Sequence, residues 1–225
     1  MAVEAVVFDF DGLMMDTEST MLASWQHEWR WHGLDLDTGT FFADHGGDVN
    51  QARYAQLAAA VGPAYDQAAS HARRLAYRDR LNESLPLMPG IADWLSQAPE
   101  LGLRLAVATS SPRGWASQHL GGHGSLTAFE FLACGDEVAR AKPDPGVYLL
   151  ALERLGLPAD RVVAVEDSPH GVAAAQAAGL RCVAIPNPHA DPARFATADL
   201  LLSSAAQLRL DEVLTAIGSS RDGFA

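Results

Sequence analysis

Ala5-Val6-Val7-Phe8-Asp9-Phe10-Asp11-Gly12 decides the fold, because four consecutive apolar residues run straight into two carboxylates and a glycine. Apolar side chains on consecutive rather than alternate positions mark a strand covered on both faces, as in a parallel sheet between helices. The same texture returns at 103–108, 162–165 and 182–185. Between these runs lie stretches with helix punctuation. Ser168-Pro169 opens one and Gly179 closes it, Asp144-Pro145 opens another that runs through Tyr148 and Leu152 to Gly156, and Pro112 stands where a third would start. Strand, helix, strand in succession predicts an α/β protein, a Rossmann-like doubly wound parallel sheet. Each polar cluster then falls at the carboxyl end of a strand, the edge where such sheets bind ligands.

From residue 17 to residue 86 the pattern is different: Ala, Leu, Gln and Arg recur at helical spacing, with no strand-like run and a glycine break at Gly46-Gly47. This predicts an inserted α-helical cap domain over 17–86, with 1–16 and 87–225 forming the α/β core. Trp25, Trp29 and Trp31, with Met21 and Leu22, read as the aromatic core of its first helix rather than as a ligand box. The residues after Gly218 read as a frayed tail.

The 225 residues carry 28 Asp+Glu against 16 Lys+Arg, a formal charge of −12. Such acidity argues against nucleic acid or an anionic membrane as partner. An anionic small molecule could still bind where the site supplies its own cations. The two cysteines, Cys134 and Cys182, form no disulfide framework and read as core thiols of a protein in a reducing compartment. The N-terminus fits neither a secretory signal nor a membrane span, so the expected location is the cytoplasm.

Four clusters carry chemistry. Asp9 and Asp11 stand two residues apart at the mouth of an apolar strand, where repulsion and lost hydration call for a divalent ion or a shared proton; taken alone, they could also be capping aspartates of a turn. Thr109-Ser110-Ser111 follows the second strand and offers hydroxyls and backbone N–H groups to phosphate oxygens, although Thr-Ser-Ser-Pro is also an ordinary helix start. Lys142, in Lys142-Pro143-Asp144-Pro145, is the one lysine among fifteen arginines. A compact ammonium serves as a point charge on a phosphoryl group, where a guanidinium would demand bidentate geometry; a chance solvated lysine is the plain alternative. Glu166-Asp167 repeats the first pair at another strand end, and the four carboxylates together suit a hard, oxygen-liganded ion, Mg2+ rather than zinc.

In this order the four clusters resemble the haloacid dehalogenase-like superfamily of phosphatases and phosphomutases. Asp9-Phe-Asp11-Gly-Leu-Met-Met-Asp16-Thr17-Glu18 is similar to its first motif, Thr109 to the second, Lys142-Pro-Asp-Pro to the third and Glu166-Asp167-Ser-Pro-His-Gly to the fourth. The helical insertion resembles the family's small cap, which closes over the core and selects the substrate. The resemblance implies Asp9 as nucleophile, Asp11 as the acid and later the base, and Thr109 and Lys142 as holders of the phosphoryl group. Mg2+ would lie between Asp9, the backbone carbonyl of Asp11 and Asp167, with Glu166 ligating or nearby. Substrate contacts are expected from Thr17, Ser110, Ser111 and, in the cap, His45, Asn50 and Arg53.

The expected reaction is hydrolysis of a small phosphorylated metabolite, a sugar phosphate or similar phosphomonoester, by a monomeric enzyme. A β-phosphoglucomutase-like phosphomutase is the rival. It resembles the chain in Asp-Thr after the first motif, but usually carries a His where this chain has Met21, and a cap lysine that this chain lacks. The other alternative is a binding protein that keeps the fold without catalysis. His119 and His123, around Gly121-Gly122, read as a surface loop with no metal-ligand spacing.

Overall fold

The computed structural model describes residues 2–39, 41–42 and 50–219. Six parallel strands form one sheet in the order β3-β2-β1-β4-β5-β6. They are β1 (Ala5–Phe8), β2 (Arg104–Ala108), β3 (Phe131–Ala133), β4 (Val162–Glu166), β5 (Arg181–Ala184) and β6 (Leu200–Leu201). Alternation along each buried strand sends Val6, Phe8, Leu105, Val107, Val163, Val165 and Val183 to one face. There they meet Ile91, Trp94 and Leu95 of α4 (Ile91–Glu100), Ala116 and Leu120 of α5 (Arg113–Gly122), and Val213 and Ile217 of α8 (Leu210–Ser219). Ala5, Val7, Ala106, Ala108, Val162 and Ala164 face α6 (Gly146–Leu155) and α7 (Pro169–Ala177). Helices on both faces make the sheet doubly wound, as expected. Both cysteines are buried free thiols.

The chain winds outward from β1 through β2 to β3, then crosses back to place β4 on the other side of β1. That reversal is the topological switch point, where loops diverge and leave a crevice beyond the strand ends. Register does the rest. Phe8 lies beside both Val107 and Val165, so Asp9, the end of β2 and Glu166 emerge level at the crevice.

Three helices follow β1: α1 (Thr17–Trp31) and α2 (Asn50–Val61), which share a hydrophobic cluster of their own, and α3 (Gln67–Asn82), which packs along α1. Asp16 caps α1 by accepting from the Ser19 N–H, and Asp66 caps α3 by accepting from the Ala69 N–H. Trp25 and Trp29 pack with Phe41, Tyr54 and Leu57. Trp31 departs from the expected stripe and is 62% exposed. At 100° per residue it lies about 200° round the helix from Trp29, and its ring instead covers the Arg73 guanidinium, 4.9 Å away. Of the residues expected to form a loop around His119 and His123, those through Gly122 belong to α5 instead, while His123 lies in the exposed turn just past its end. Ala116 and Leu120 pin that face of α5 to the core, and the His119 ring packs 4.0 Å from Trp115.

Candidate active site

Lys142 is the hub. Its buried ammonium donates to Asp9 Oδ1 at 2.5 Å, to Glu166 Oε1 at 2.5 Å and to the Ala108 carbonyl at 2.8 Å. It thus ties the ends of β1, β2 and β4 together. The Tyr148 hydroxyl, from α6, adds a second donor to Glu166 Oε1 at 2.6 Å, while the Asp167 N–H reaches Glu166 Oε2 at 3.2 Å. Glu166, fully buried, is thereby held in place from both sides. Asp167 Oδ2 accepts from Asn187 Nδ2 at 2.7 Å.

Three buried carboxylates, Asp9, Glu166 and Asp167, bring ligand oxygens within 4.8 Å of one another around a single ammonium. Burial, reinforced by mutual repulsion, shows in the protonation of Asp9 and Asp167. Burial pushes the Asp9 carboxyl up to about 8, with Lys142 pulling it down and repulsion from Glu166 and Asp11 adding to the rise. Burial likewise drives Asp167 well above the usual carboxylate range; Asp9 and Glu166 reinforce this, and the Asn187 hydrogen bond opposes it. Burial works against the Lys142 ammonium, yet the two carboxylates hold it above its ordinary value. A donor set made only of buried carboxylates with charge to spare fits a hard divalent cation such as Mg2+.

Two glycines make room for these acids. Gly12 has φ +80°, and a Cβ there would lie 2.1 Å from Asp167 Oδ2. Gly171, in the first turn of α7, passes so close to Glu166 that a Cβ would stand 1.9 Å from Oε2 and 2.0 Å from the carboxyl carbon. Gly171→Ala therefore must push Glu166 off Lys142. We expect a loss of about 1–3 kcal/mol of stability from overpacking, read as a fall of about 2–4 °C in Tm per kcal/mol. Turnover should drop at least about tenfold with it, the equivalent of one mispositioned site group. Thermal melting and kcat measured together check this, and an alanine variant with both unchanged would show that Glu166 is not held as described.

Asp11 lies beside this centre. Its Oδ1 accepts from Thr17 Oγ1 at 2.8 Å and from the Trp115 indole N–H at 2.9 Å, and its Oδ2 accepts from Ser111 Oγ at 2.5 Å. Thr109 is buried at the end of β2, its hydroxyl accepting from the Ser111 N–H at 3.1 Å, and Ser110 is exposed beside it. In the cap, Asn50 opens α2. Arg53 donates to the Phe41 carbonyl at 2.8 Å and lies over the Phe41 ring. His45 and the Gly46-Gly47 break fall outside the described residues.

Several residues at the site were given no role by the sequence. Burial raises the Glu18 carboxyl to about 7; repulsion from Asp11 adds to this, and Arg78 and Arg53 oppose it. Arg78 projects from α3 over the Trp115 ring, 4.7 Å away, and bridges helical cluster and core. His189 makes a second bridge: its Nε2 is 2.7 Å from Ser19 Oγ on α1 and its ring stacks on Phe42 at 4.4 Å, while its N–H donates to Asn187 Oδ1. Asn187 could have been suspected, since a polar residue between Pro186 and Pro188 just past an apolar strand lies on the same carboxyl edge as the acids.

An acidic crevice that carries its own fixed ammonium, at the switch point of a parallel sheet, defines a phosphate-handling α/β enzyme. Residues 6–185 match the haloacid dehalogenase-like hydrolase family. Protein CbbY of Cereibacter sphaeroides is 35% identical over 217 residues, covering 92% of this chain and 94% of that protein. Hexitol phosphatase B of Escherichia coli (strain K12) is 30% identical over 229 residues, covering 93% and 96%. The crystal structure of a CbbY variant from Rhodobacter sphaeroides in complex with xylulose 1,5-bisphosphate superposes with a TM-score of 0.72 at 32% identity, over 92% of this chain and 96% of that one. The chain belongs to the haloacid dehalogenase-like hydrolase family, in its phosphatase branch, and is a phosphoric monoester hydrolase.

Proposed function

We propose that the protein is a Mg2+-dependent phosphatase of small phosphorylated metabolites, sugar phosphates above all, working through a phosphoaspartate on Asp9. The observation that carries this reading is the buried Lys142 ammonium on Asp9 Oδ1, which holds the carboxylate at the strand end; its other oxygen would attack the phosphorus. Lys142, whose three N–H groups are taken by Asp9, Glu166 and the Ala108 carbonyl, would act on the transferring phosphoryl group through its charge, and Thr109 would hold the phosphoryl oxygens. Asp11 would protonate the leaving oxygen and then take the proton of the attacking water. Asp9, Asp167 and the backbone carbonyl of Asp11 would hold Mg2+, with Glu166 anchoring Lys142 beside them or adding a ligand. Bound there, the ion supplies positive charge to the carboxylates and to the phosphoryl oxygens.

Residues 17–86 would act as the cap, bringing Thr17, Asn50, Arg53 and His45 towards the substrate with Ser110 and Ser111 facing them from the core. Xylulose 1,5-bisphosphate in the CbbY complex and the hexitol specificity named for the Escherichia coli relative favour a sugar phosphate. Among the described residues no helix is long and apolar enough to cross a membrane.

The test is phosphate release from a panel of sugar mono- and bisphosphates. Turnover should require Mg2+, vanish in EDTA and return with added Mg2+, while Ca2+, with looser coordination, should inhibit. Full turnover in EDTA contradicts the metal role, and no release above a metal-free control from any phosphate ester would favour a binding protein on this fold.

A further inference from the structure

Asp11 is gripped more firmly than a proton carrier needs for solubility or packing. Three donors from three different elements reach its carboxyl group: Thr17 from the start of α1 and Trp115 from α5, both on Oδ1, and Ser111 from the loop after β2 on Oδ2. The donors differ in kind. The indole N–H can only donate, and its ring packs against His119 at 4.0 Å and under the Arg78 guanidinium at 4.7 Å. A hydroxyl such as that of Ser111 can rotate and accept instead. The Thr17 hydroxyl can rotate too, so the indole N–H is the one donor that fixes Oδ1 as an acceptor, and with Thr17 donating beside it both lone pairs of Oδ1 are taken.

We propose that Trp115 is a positioning residue of the reaction: its indole N–H, together with Thr17, fills Oδ1 of Asp11, so that the proton is given and taken at Oδ2. This rests on the reading of Asp11 as acid and base. In the first half-reaction a bond forms between an Asp9 oxygen and phosphorus, the phosphorus–ester oxygen bond breaks, and the proton on Oδ2 passes to the leaving oxygen. In the second, the oxygen of water bonds to phosphorus, the bond from phosphorus to Asp9 breaks, and a water proton passes to Oδ2. Through Arg78 the indole is also covered by the helical cluster, so seating of that cluster and alignment of the acid are linked at one ring.

A misplaced acid harms poor leaving groups and spares good ones, whereas general loosening harms both alike. The experiment therefore measures the first-turnover rate of leaving-group release by the Mg2+-loaded enzyme for p-nitrophenyl phosphate and for an alkyl sugar phosphate that the wild type turns over. Trp115→Phe keeps the ring over which Arg78 lies and removes the donor. Site-specific replacement by 3-benzothienylalanine keeps the bicyclic shape with sulfur in place of N–H, and serves if phenylalanine disturbs the fold. We expect both to lose at least about tenfold on the alkyl phosphate, a fraction of what general acid catalysis contributes, and less than about threefold on p-nitrophenyl phosphate, with KM little changed. Equal losses on the two esters, or none on the alkyl ester, overturn the role of Trp115. Asp11→Asn is the reference: if it shows no preference for the good leaving group, the acid role itself fails, whereas a selective loss in Asp11→Asn alone refutes only the inference about Trp115.

Discussion

Lys142→Met is expected to remove at least about a thousandfold of kcat, the upper range for loss of one preorganised electrostatic group, and to destabilise the fold as well. The ammonium sits between two carboxylates, one of them wholly buried, at 2.5 Å from each. Taking away one partner of a buried ion pair costs about 3–5 kcal/mol because the other charge is stranded. Glu166 would keep Tyr148, a backbone N–H and a long contact from the Ser168 hydroxyl at 3.5 Å, and Asp9 would lose the group that orients it. Lys142→Arg separates charge from shape. It keeps the cation, but a planar fork does not fit a niche where Nζ makes three short contacts and lies 5.0 Å from the Tyr148 ring centroid. We expect a loss of at least about tenfold in activity. Steady-state kinetics and melting curves of both variants check this, and arginine at wild-type rates would show that any cation suffices.

Apart from Lys142, the core positions that could be read share one property: each follows directly from an apolar strand. Residues 5–8, 103–108, 162–165 and 182–185 announce β1, β2, β4 and β5, and the parallel register then brings Asp9, Thr109, Glu166 and Asp167 to one crevice with no further information. Lys142 was legible as the one lysine of the chain, within Lys142-Pro143-Asp144-Pro145. β3 and β6 were not, since Phe131–Ala133 and Leu200–Leu201 are edge strands of three and two residues, too short for periodicity to register. Tyr148, Trp115 and Arg78 reach the site from helix faces, and there a buried polar tip looks like any amphipathic core residue until tertiary packing gives it a partner. Trp31 was misplaced for a related reason: a cluster of tryptophans reads as one core, although only the pair four residues apart shares a helix face.

Asp9→Asn is expected to abolish turnover with every phosphate ester, however good the leaving group, because the attacking oxygen is replaced by an amide of nearly the same shape. The fold should survive. Lys142 keeps Glu166 and the Ala108 carbonyl, and one member of a mutually repelling buried acid cluster is removed. Detectable phosphate release by a folded Asp9→Asn enzyme, free of deamidation, would contradict this.

Asp11→Asn should behave differently, since it spares the nucleophile and removes the proton carrier. A reactive acyl phosphate needs no acid to leave, so acetyl phosphate with Mg2+ should phosphorylate this variant, and hydrolysis should then stall for want of a base. The most direct measurement is the intact mass of Asp11→Asn after such treatment, followed by borohydride reduction and peptide mapping. The account predicts a gain of about 80 Da, one phosphoryl group held as an acyl phosphate, that maps to the peptide containing Asp9 and is absent when Asp9 is also replaced by Asn. A label on a serine or a histidine instead would contradict the nucleophile and the mechanism built on it.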